Sequence, residues 1–256
     1  MRSFQYRLAP EYIGGFGRLS LAGYIRLFQR AATEHSDTLG YTSNWYRNNG
    51  TAWMARRHRI SVENPVRPEE SVIVETEVED FKRIRSLRCY TIRVESTNTL
   101  AAEGYTEWVY LDRNSHKPNR IPEAMIGDFG PRYQDSSPNR IQFDSPEIPS
   151  RAYSRTFTVQ FRDLDELGHV NNVSYTEYLV ETLLTWLQDT DGSIESGLPD
   201  FPEVSHLTIQ YLDQAGWQDS LQCLIDPVED SASEVDFVFA IKSSEKRLVE
   251  GRGAWK

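Results

Sequence analysis

Phe161-Arg-Asp-Leu-Asp-Glu-Leu-Gly-His-Val-Asn-Asn-Val-Ser-Tyr175 is the stretch on which the reading of this chain turns. It gathers three acids (Asp163, Asp165, Glu166), a glycine, a histidine and two asparagines into a turn-like run. The residues from Asn172 to Leu187 then carry a helical apolar pattern, with Val173, Tyr175, Leu179, Leu183, Trp186 and Leu187 broadly on one side. Such a loop hands a carboxylate to a helix N-terminus, where the first backbone N–H groups lack intrahelical partners and the dipole is positive. An acid there can act on a carbonyl as base or nucleophile. Asn171 or Asn172 suits the helix cap. Gly168 permits close backbone approach or a positive φ. Asp163 precedes a tight turn and can bond the backbone two residues on. Glu166 reads as a solvated loop acid. His169 either orients water or substrate or fixes the loop through its ring.

Working outward, Tyr153 to Phe161 alternates like a strand, and strand patterns follow at 204–212, 219–227, 233–243 and 247–255. The first half has the same order. Ser3 to Arg7 is strand-like. Leu19 to Leu39 is helical, with Leu21, Tyr24, Ile25, Phe28, Ala31 and Ala32 on one face. Strands are expected at 51–62, 70–80, 87–96 and 103–112. Glu103-Gly-Tyr-Thr-Glu-Trp108 echoes Glu250-Gly-Arg-Gly-Ala-Trp255. The two tryptophans stand 147 residues apart, and Tyr24 and Tyr175 stand 151 apart. Two similar offsets in the same order indicate a duplicated unit. Six of the twelve prolines (Pro118, Pro122, Pro131, Pro138, Pro146, Pro149) fall between the halves, which marks a linker lying along the surface. The expected organisation is therefore α+β. A helix-plus-curved-antiparallel-sheet repeat fills 1–115, a proline-rich linker 116–150, and a second repeat 151–256.

The order of helix then sheet, twice over, resembles the double hotdog fold. Asp-Leu-Asp-x-x-Gly-His-Val-Asn-Asn-Val-x-Tyr resembles the motif of hotdog thioesterases. Thr51-Ala-Trp-Met-Ala-Arg56, Trp108-Val-Tyr-Leu-Asp-Arg-Asn114 and Arg120-Ile-Pro122 extend the likeness to the acyl-acyl-carrier-protein thioesterases of plants and bacteria, from about Phe4 to Trp255. The resemblance implies that Asp165, the second acid of Asp-x-Asp, is the reactive carboxylate and that His169 assists it. It also implies that Gly168 and the backbone N–H groups of Val170, Asn171 and Asn172 bind the thioester oxygen as negative charge grows there. The chain departs from the plant-type pattern at two places. Leu167 stands where Asp-x-Asn-x-His has asparagine. Gln214-Ala215 aligns with the family's acid-cysteine pair, with Asp213 one residue away. A glutamine can position a water but cannot act as a base. Aligning Tyr24 with Tyr175 sets Gly14 opposite Asp165 and Arg18 opposite His169, so one active site per chain is expected. Trp53, Met54, Ile25 and Phe28 would be either acyl-pocket lining or ordinary core.

A net charge of −10 excludes nucleic acid as the main partner. Positive charge is concentrated in Arg56, Arg57 and Arg59 and in Lys82, Arg83, Arg85 and Arg88. These are either a solvated face or a docking site for an anionic partner, a phosphopantetheine carrier or coenzyme A. Arg56, Arg57, Lys82 and Arg83 are the docking candidates. No run reaches the length of a membrane span and the start lacks a signal-peptide core, so a cytoplasmic setting is expected, with Cys89 and Cys223 as buried thiols. The five histidines are scattered, which predicts no metal site. Gly14-Gly15-Phe16-Gly17 lacks the lysine and hydroxyl residue of a phosphate loop, and no cofactor is expected. The expected function is hydrolysis of fatty acyl-carrier-protein or acyl-CoA thioesters, by a chain that could pair as a homodimer. Two alternatives stand beside it. One is an enoyl-thioester hydratase or dehydratase, whose motif has an Asn-Pro and one residue more than the four-residue step from Asp165 to His169. The other is a non-catalytic acyl-thioester binder.

Overall fold

Strict alternation makes the strands. In β3 (Ser71–Lys82), Val72, Val74, Thr76 and Val78 are buried, and the residues between them, Ile73, Glu75 and Glu77, are less so. The structure, a computed structural model, describes residues 1–15, 17–191, 204–231, 234–244 and 246–255. Phe16 of the glycine-rich stretch and residue 233, first of an expected strand, lie outside the described residues. The chain divides into two units, one of Met1–Ile13, Gly17–Leu19 and Gly23–Gln142, the other of Gly14–Phe16, Ser20–Ala22 and Phe143–Lys256.

In the first unit β1 (Arg2–Arg7), β3, β4 (Arg85–Val94), β5 (Leu100–Asp112) and β2 (Thr51–Val62) lie side by side in the order β1-β3-β4-β5-β2. Every pairing is antiparallel. Helix α1 (Leu21–Thr38) buries Tyr24, Ile25, Leu27, Phe28 and Ala31. Phe28 stacks on Tyr90 with centroids 4.4 Å apart and lies over Gly104, where a Cβ would sit 2.5 Å from the ring. Gly104 therefore has no side chain because the helix needs the space. In the second unit β6 (Tyr153–Thr158), β8 (Ser220–Ser231), β9 (Glu234–Ser243), β10 (Lys246–Trp255) and β7 (Val204–Tyr211) run β6-β8-β9-β10-β7, again antiparallel throughout. Taken in chain order this is the topology of the first unit. Helix α4 (Asn172–Asp191) supplies buried Val173, Tyr175, Leu179 and Leu183. Gly251, the echo of Gly104, is likewise covered by an aromatic ring, that of Phe239 on the neighbouring strand.

The proline-rich segment differs from a plain linker. Helix α3 (Glu123–Phe129) forms inside it, stopped by Gly130 at φ 53°. Met125 and Ile121 join Tyr41 and Tyr110 in an aromatic-rich cluster that also takes in Trp53, Phe81 and Phe129, together with Trp45 of a second short helix, α2 (Ser43–Asn48). The sequence pattern showed neither α2 nor α3, because both are too short to display a period. Beyond α3 the chain becomes a strap. A bulge between Val78 and Asp80 turns both Glu79 and Asp80 inward. Glu79 accepts from the Ser137 hydroxyl and from Asn139 Nδ2 (2.9 Å), and Asp80 accepts from the Ser137 N–H (2.7 Å). The strap is thus part of the first unit as far as Gln142. From Phe143 on it belongs to the second, where buried Glu250 accepts from Ser145 Oγ at 2.7 Å and from Gln210 Nε2 at 3.2 Å. No helix among the described residues is long and apolar enough to cross a membrane.

Two buried histidines give the first unit a pH signature. His35 Nδ1 accepts a hydrogen bond from Arg88 Nη1 at 2.9 Å, so the ring must be neutral. Burial, then the Arg88 charge, hold its pKa down to about 3. His58, bonded to Thr106 Oγ1 at 2.8 Å, is held at about 3 by burial alone. Below the ordinary histidine value the unfolded chain binds protons that the folded chain refuses, so stability falls as pH drops from about 6.5 towards 3. The slope contributed by each ring is at most about 1.4 kcal/mol per pH unit. Urea unfolding at pH 7, 6 and 5 should show this decline, and His35→Asn should make it shallower. A stability independent of pH over that range would contradict the neutral assignment.

Candidate active site

The motif runs from a 3₁₀ turn (Phe161–Asp163) through a tight loop into α4. Asp163 is buried, and one carboxylate oxygen accepts from the Gln160 N–H and from the Tyr178 hydroxyl, both at 2.7 Å. Its carbonyl accepts the Asn171 N–H at 2.8 Å. Burial, then Asp163 itself, push the Tyr178 phenol well above its usual pKa, so Tyr178 stays a donor. Asp163 is therefore the peg of the loop, as its place ahead of a turn suggested.

Between Leu164 and Val170, which form an isolated antiparallel bridge, the backbone reverses at Asp165–Gly168. The Gly168 N–H reaches the Asp165 carbonyl at 3.1 Å, and Gly168 takes φ 78°, where a side chain would be strained. Asp165 Oδ1 accepts the N–H groups of Leu167 (2.8 Å) and His169 (3.3 Å). Among the described residues no hydrogen-bond donor reaches Oδ2. Asp165 thus closes its own turn with one oxygen and presents the other, with the half-buried His169 ring on the same loop. Asn171 Oδ1 accepts the Val173 N–H at 3.0 Å and is the helix cap.

The backbone of one residue, Ala215, ties this loop to the Tyr211–Trp217 segment. The Val170 N–H donates to the Ala215 carbonyl at 2.9 Å, and the Ala215 N–H donates to the Tyr175 hydroxyl at 3.2 Å. Tyr211 anchors the other side, its hydroxyl donating to the Asn172 carbonyl at 3.2 Å. Gln214 immediately precedes Ala215 in this segment, its N–H donating to Asp213 Oδ1 at 2.8 Å. Asp213, one residue away, is engaged by Lys246. Its hydrogen bond with Lys246 holds its carboxyl below the usual range. Sequence reasoning missed Tyr178 and Tyr211. The three-residue step from Tyr175 to Tyr178 on α4 was the available signal for the first.

Two expectations need correction. The N–H groups of Gly168, Val170 and Asn171 are already spent on Asp165, Ala215 and Asp163, so they are not open to a thioester oxygen. The reason is that so tight a turn must satisfy its own amides. Arg57 is not a free docking residue. It pairs with Glu107 at 3.9 Å and donates to the Ile141 carbonyl at 3.3 Å, while Arg85 takes the other Glu107 oxygen at 2.9 Å. Arg56 and Lys82 are half-buried, and Arg83 stands exposed at the β3–β4 hairpin tip. Burial pushes the Cys89 and Cys223 thiols up to about 11 and about 12, so neither is poised as a nucleophile. Among the described residues no three His, Cys, Asp or Glu side chains gather as a metal site.

The first half keeps the same frame without the acid. Its 3₁₀ turn (Pro10–Tyr12), its Ile13–Leu19 bridge and its Gly17 at φ 66° match the second-half features 151 residues on. Leu19 donates to the Val66 carbonyl at 2.8 Å, and the Val66 N–H donates to the Tyr24 hydroxyl at 3.4 Å. Gly14, Arg18 and Pro65 stand where the second half has Asp165, His169 and Gln214.

The family model for the acyl-ACP thioesterase N-terminal domain matches residues 3–129, and that for the C-terminal domain matches residues 147–256. The chain belongs to the acyl-ACP thioesterase family. A chloroplastic acyl-[acyl-carrier-protein] hydrolase of Cuphea viscosissima is 22% identical over 260 residues, 95% of this chain and 60% of that protein. The chain spans 42% to 62% of the length of the curated relatives it matches. Among solved structures, an assigned oleoyl thioesterase of Lactobacillus plantarum superposes with a TM-score of 0.86 at 20% identity, covering 99% of this chain and 95% of that one. The 12:0-ACP thioesterase of Umbellularia californica does so with 0.81 at 18%, covering 100% and 93%. The double hotdog expected from the order of elements is the fold observed.

Tyr178→Phe leaves the buried Asp163 carboxylate one donor short. It should destabilise the chain by about 1–3 kcal/mol in urea unfolding. An unchanged midpoint would mean that Asp163 does not depend on this bond.

Proposed function

We propose that this chain is a thiolester hydrolase that cleaves fatty acyl-carrier-protein thioesters, with acyl-CoA thioesters as alternative substrates, and releases the free fatty acid. The observation that carries the proposal is the asymmetry of the two loops. They share backbone, bridge and tyrosine tether, and only the second has an acid, with one carboxylate oxygen turned away from the turn it closes. Membership of the thioesterase family supports the substrate class.

In this reading Asp165 Oδ2 takes the proton of a water as that water attacks the thioester carbonyl carbon. The tetrahedral intermediate collapses with loss of the pantetheine thiol, which carries the proton away. Direct attack by Asp165 reaches the same product through an anhydride that water then opens. His169 and the Gln214 amide are the polar side chains proposed to hold the water and the developing oxyanion, taking over the role expected of the loop N–H groups. Gly168, Val170, Asn171 and Asn172 serve the site as frame. A cytoplasmic setting belongs to the same proposal, and the free thiols Cys89 and Cys223 suit a reducing compartment.

Asp165→Asn separates catalysis from folding, because an asparagine carbonyl can still accept the Leu167 and His169 N–H groups. Its thermal midpoint should match wild type, while kcat on dodecanoyl- and hexadecanoyl-carrier-protein should fall by about 10²–10⁴-fold. Full hydrolysis by this variant would remove Asp165 from the mechanism. Gln214→Ala should cost about 10²-fold in kcat with little change in KM. A rise in KM alone would assign Gln214 to ground-state binding.

A further inference from the structure

The rim of the acid-bearing loop carries two aromatic rings in the open. Phe161 is 77% exposed and Trp217 60%, and their rings meet edge to face with centroids 6.5 Å apart. Neither belongs to the core, and exposed large aromatics this close together are uncommon on a surface made only for water. Both are held firmly. Phe161 opens the 3₁₀ turn pegged by Asp163. Trp217 lies two residues past Ala215, with flanking residues fixed by Gly216 N–H to Asp219 Oδ2 (2.8 Å) and Gln218 N–H to the Val159 carbonyl (3.2 Å). Arg162, next to Phe161, has an 87% exposed side chain whose nearest acid, Asp163, lies 4.0 Å away.

The duplicated half is the control. Its matching positions are Pro10 and Pro68, which with Leu8 and Ile13 line an apolar hollow. No aromatic pair stands there; Glu11 occupies the place of Arg162, and the exposed cation beside Pro68 is Arg67. The exposed aromatic pair therefore accompanies the acid, not the fold.

We infer that Phe161, Trp217 and Arg162 form the anchoring ledge for the acidic carrier protein that presents the acyl chain. This rests on the thioesterase reading above. Aromatic residues and arginine are the side chains that concentrate binding energy at protein–protein contacts, and a rigid aromatic loses little entropy on docking. An acidic surface on the carrier would meet the 87% exposed Arg162 side chain, whose ion pair with Asp163 is long at 4.0 Å. Docking at the rim leaves the arm free to enter beside Asp165. The basic hairpin tip at Lys82 and Arg83 then has the lesser task of steering the approach, which long-range charge does without specific contacts.

The test uses Phe161→Ala with Trp217→Ala, and separately Arg162→Gln. Substrates are dodecanoyl-carrier-protein, dodecanoyl-CoA and the truncated dodecanoyl-N-acetylcysteamine thioester. The inference expects KM for the carrier substrate to rise about tenfold or more in the double variant, with kcat unchanged and kcat/KM on the truncated thioester kept within about twofold. An unchanged carrier KM overturns it. Equal losses on all three substrates overturn it too, because the rings would then shape the site itself. Losses shared by the carrier and CoA alone assign the ledge to the phosphate-bearing arm rather than to the protein. A variant that changes the sedimenting mass assigns the rings to contact between copies. Should wild type hydrolyse none of the thioesters, the hydrolase reading falls. Biolayer interferometry with the immobilised holo-carrier then decides the ledge by itself: wild-type binding lost in the double variant upholds it, and equal binding or none sinks it.

Discussion

The backbone of Ala215 is the constraint on which the site depends. It is almost fully buried, so both its polar groups need partners, and each partner is a piece of the site. The carbonyl takes the Val170 N–H, which sets the height of the motif loop, and the N–H takes the Tyr175 hydroxyl, which sets the loop against α4. With both groups satisfied, the segment that carries Gln214 is tied to the loop that carries Asp165. Because Asp163 pegs the near side through Tyr178 and Gln160, the loop is held at both ends by hydrogen bonds inside the protein.

The recurrence of this tether at Val66 shows which part of the motif is architecture. Tyr24, Leu19 and Val66 repeat the bonding of Tyr175, Val170 and Ala215, although the side chains that could do chemistry have been replaced by Gly14, Arg18 and Pro65. The backbone device is needed wherever a strand must turn into the central helix. The acid is needed in one copy only. The glycines tell the same story, since Gly104 and Gly251 occupy matching places in matching strands and each leaves space for an aromatic ring.

Much of this was open to reading in the sequence because it follows from periodicity. The alternation in β2 to β5 and β7 to β10, the apolar faces of α1 and α4 and the offsets of the tyrosines and tryptophans are one-dimensional signals. The helix cap at Asn171 was legible as well, since its cause is local. What escaped is what depends on partners distant in sequence. Glu79 and Asp80 read as ordinary strand acids until a bulge turns both inward to meet Ser137 and Asn139. Arg57 reads as a surface charge until Glu107 and the Ile141 carbonyl take it up. The N–H groups of Val170 and Asn171 looked available because their acceptors, the carbonyls of Ala215 in another segment and of Asp163 eight residues back, are met only when the loop closes.

The strap has a consequence for how the molecule could be divided. A fragment ending near residue 115 would keep Glu79 and Asp80 facing inward and lose every donor that Ser137 and Asn139 give them. It would carry two uncompensated carboxylates in its core. A fragment ending at Gln142 keeps those donors. One starting at Phe143 keeps Ser145 for Glu250. The natural seam of the chain therefore lies inside its proline-rich stretch, and whether either repeat can live alone turns on which side of that seam the strap is cut.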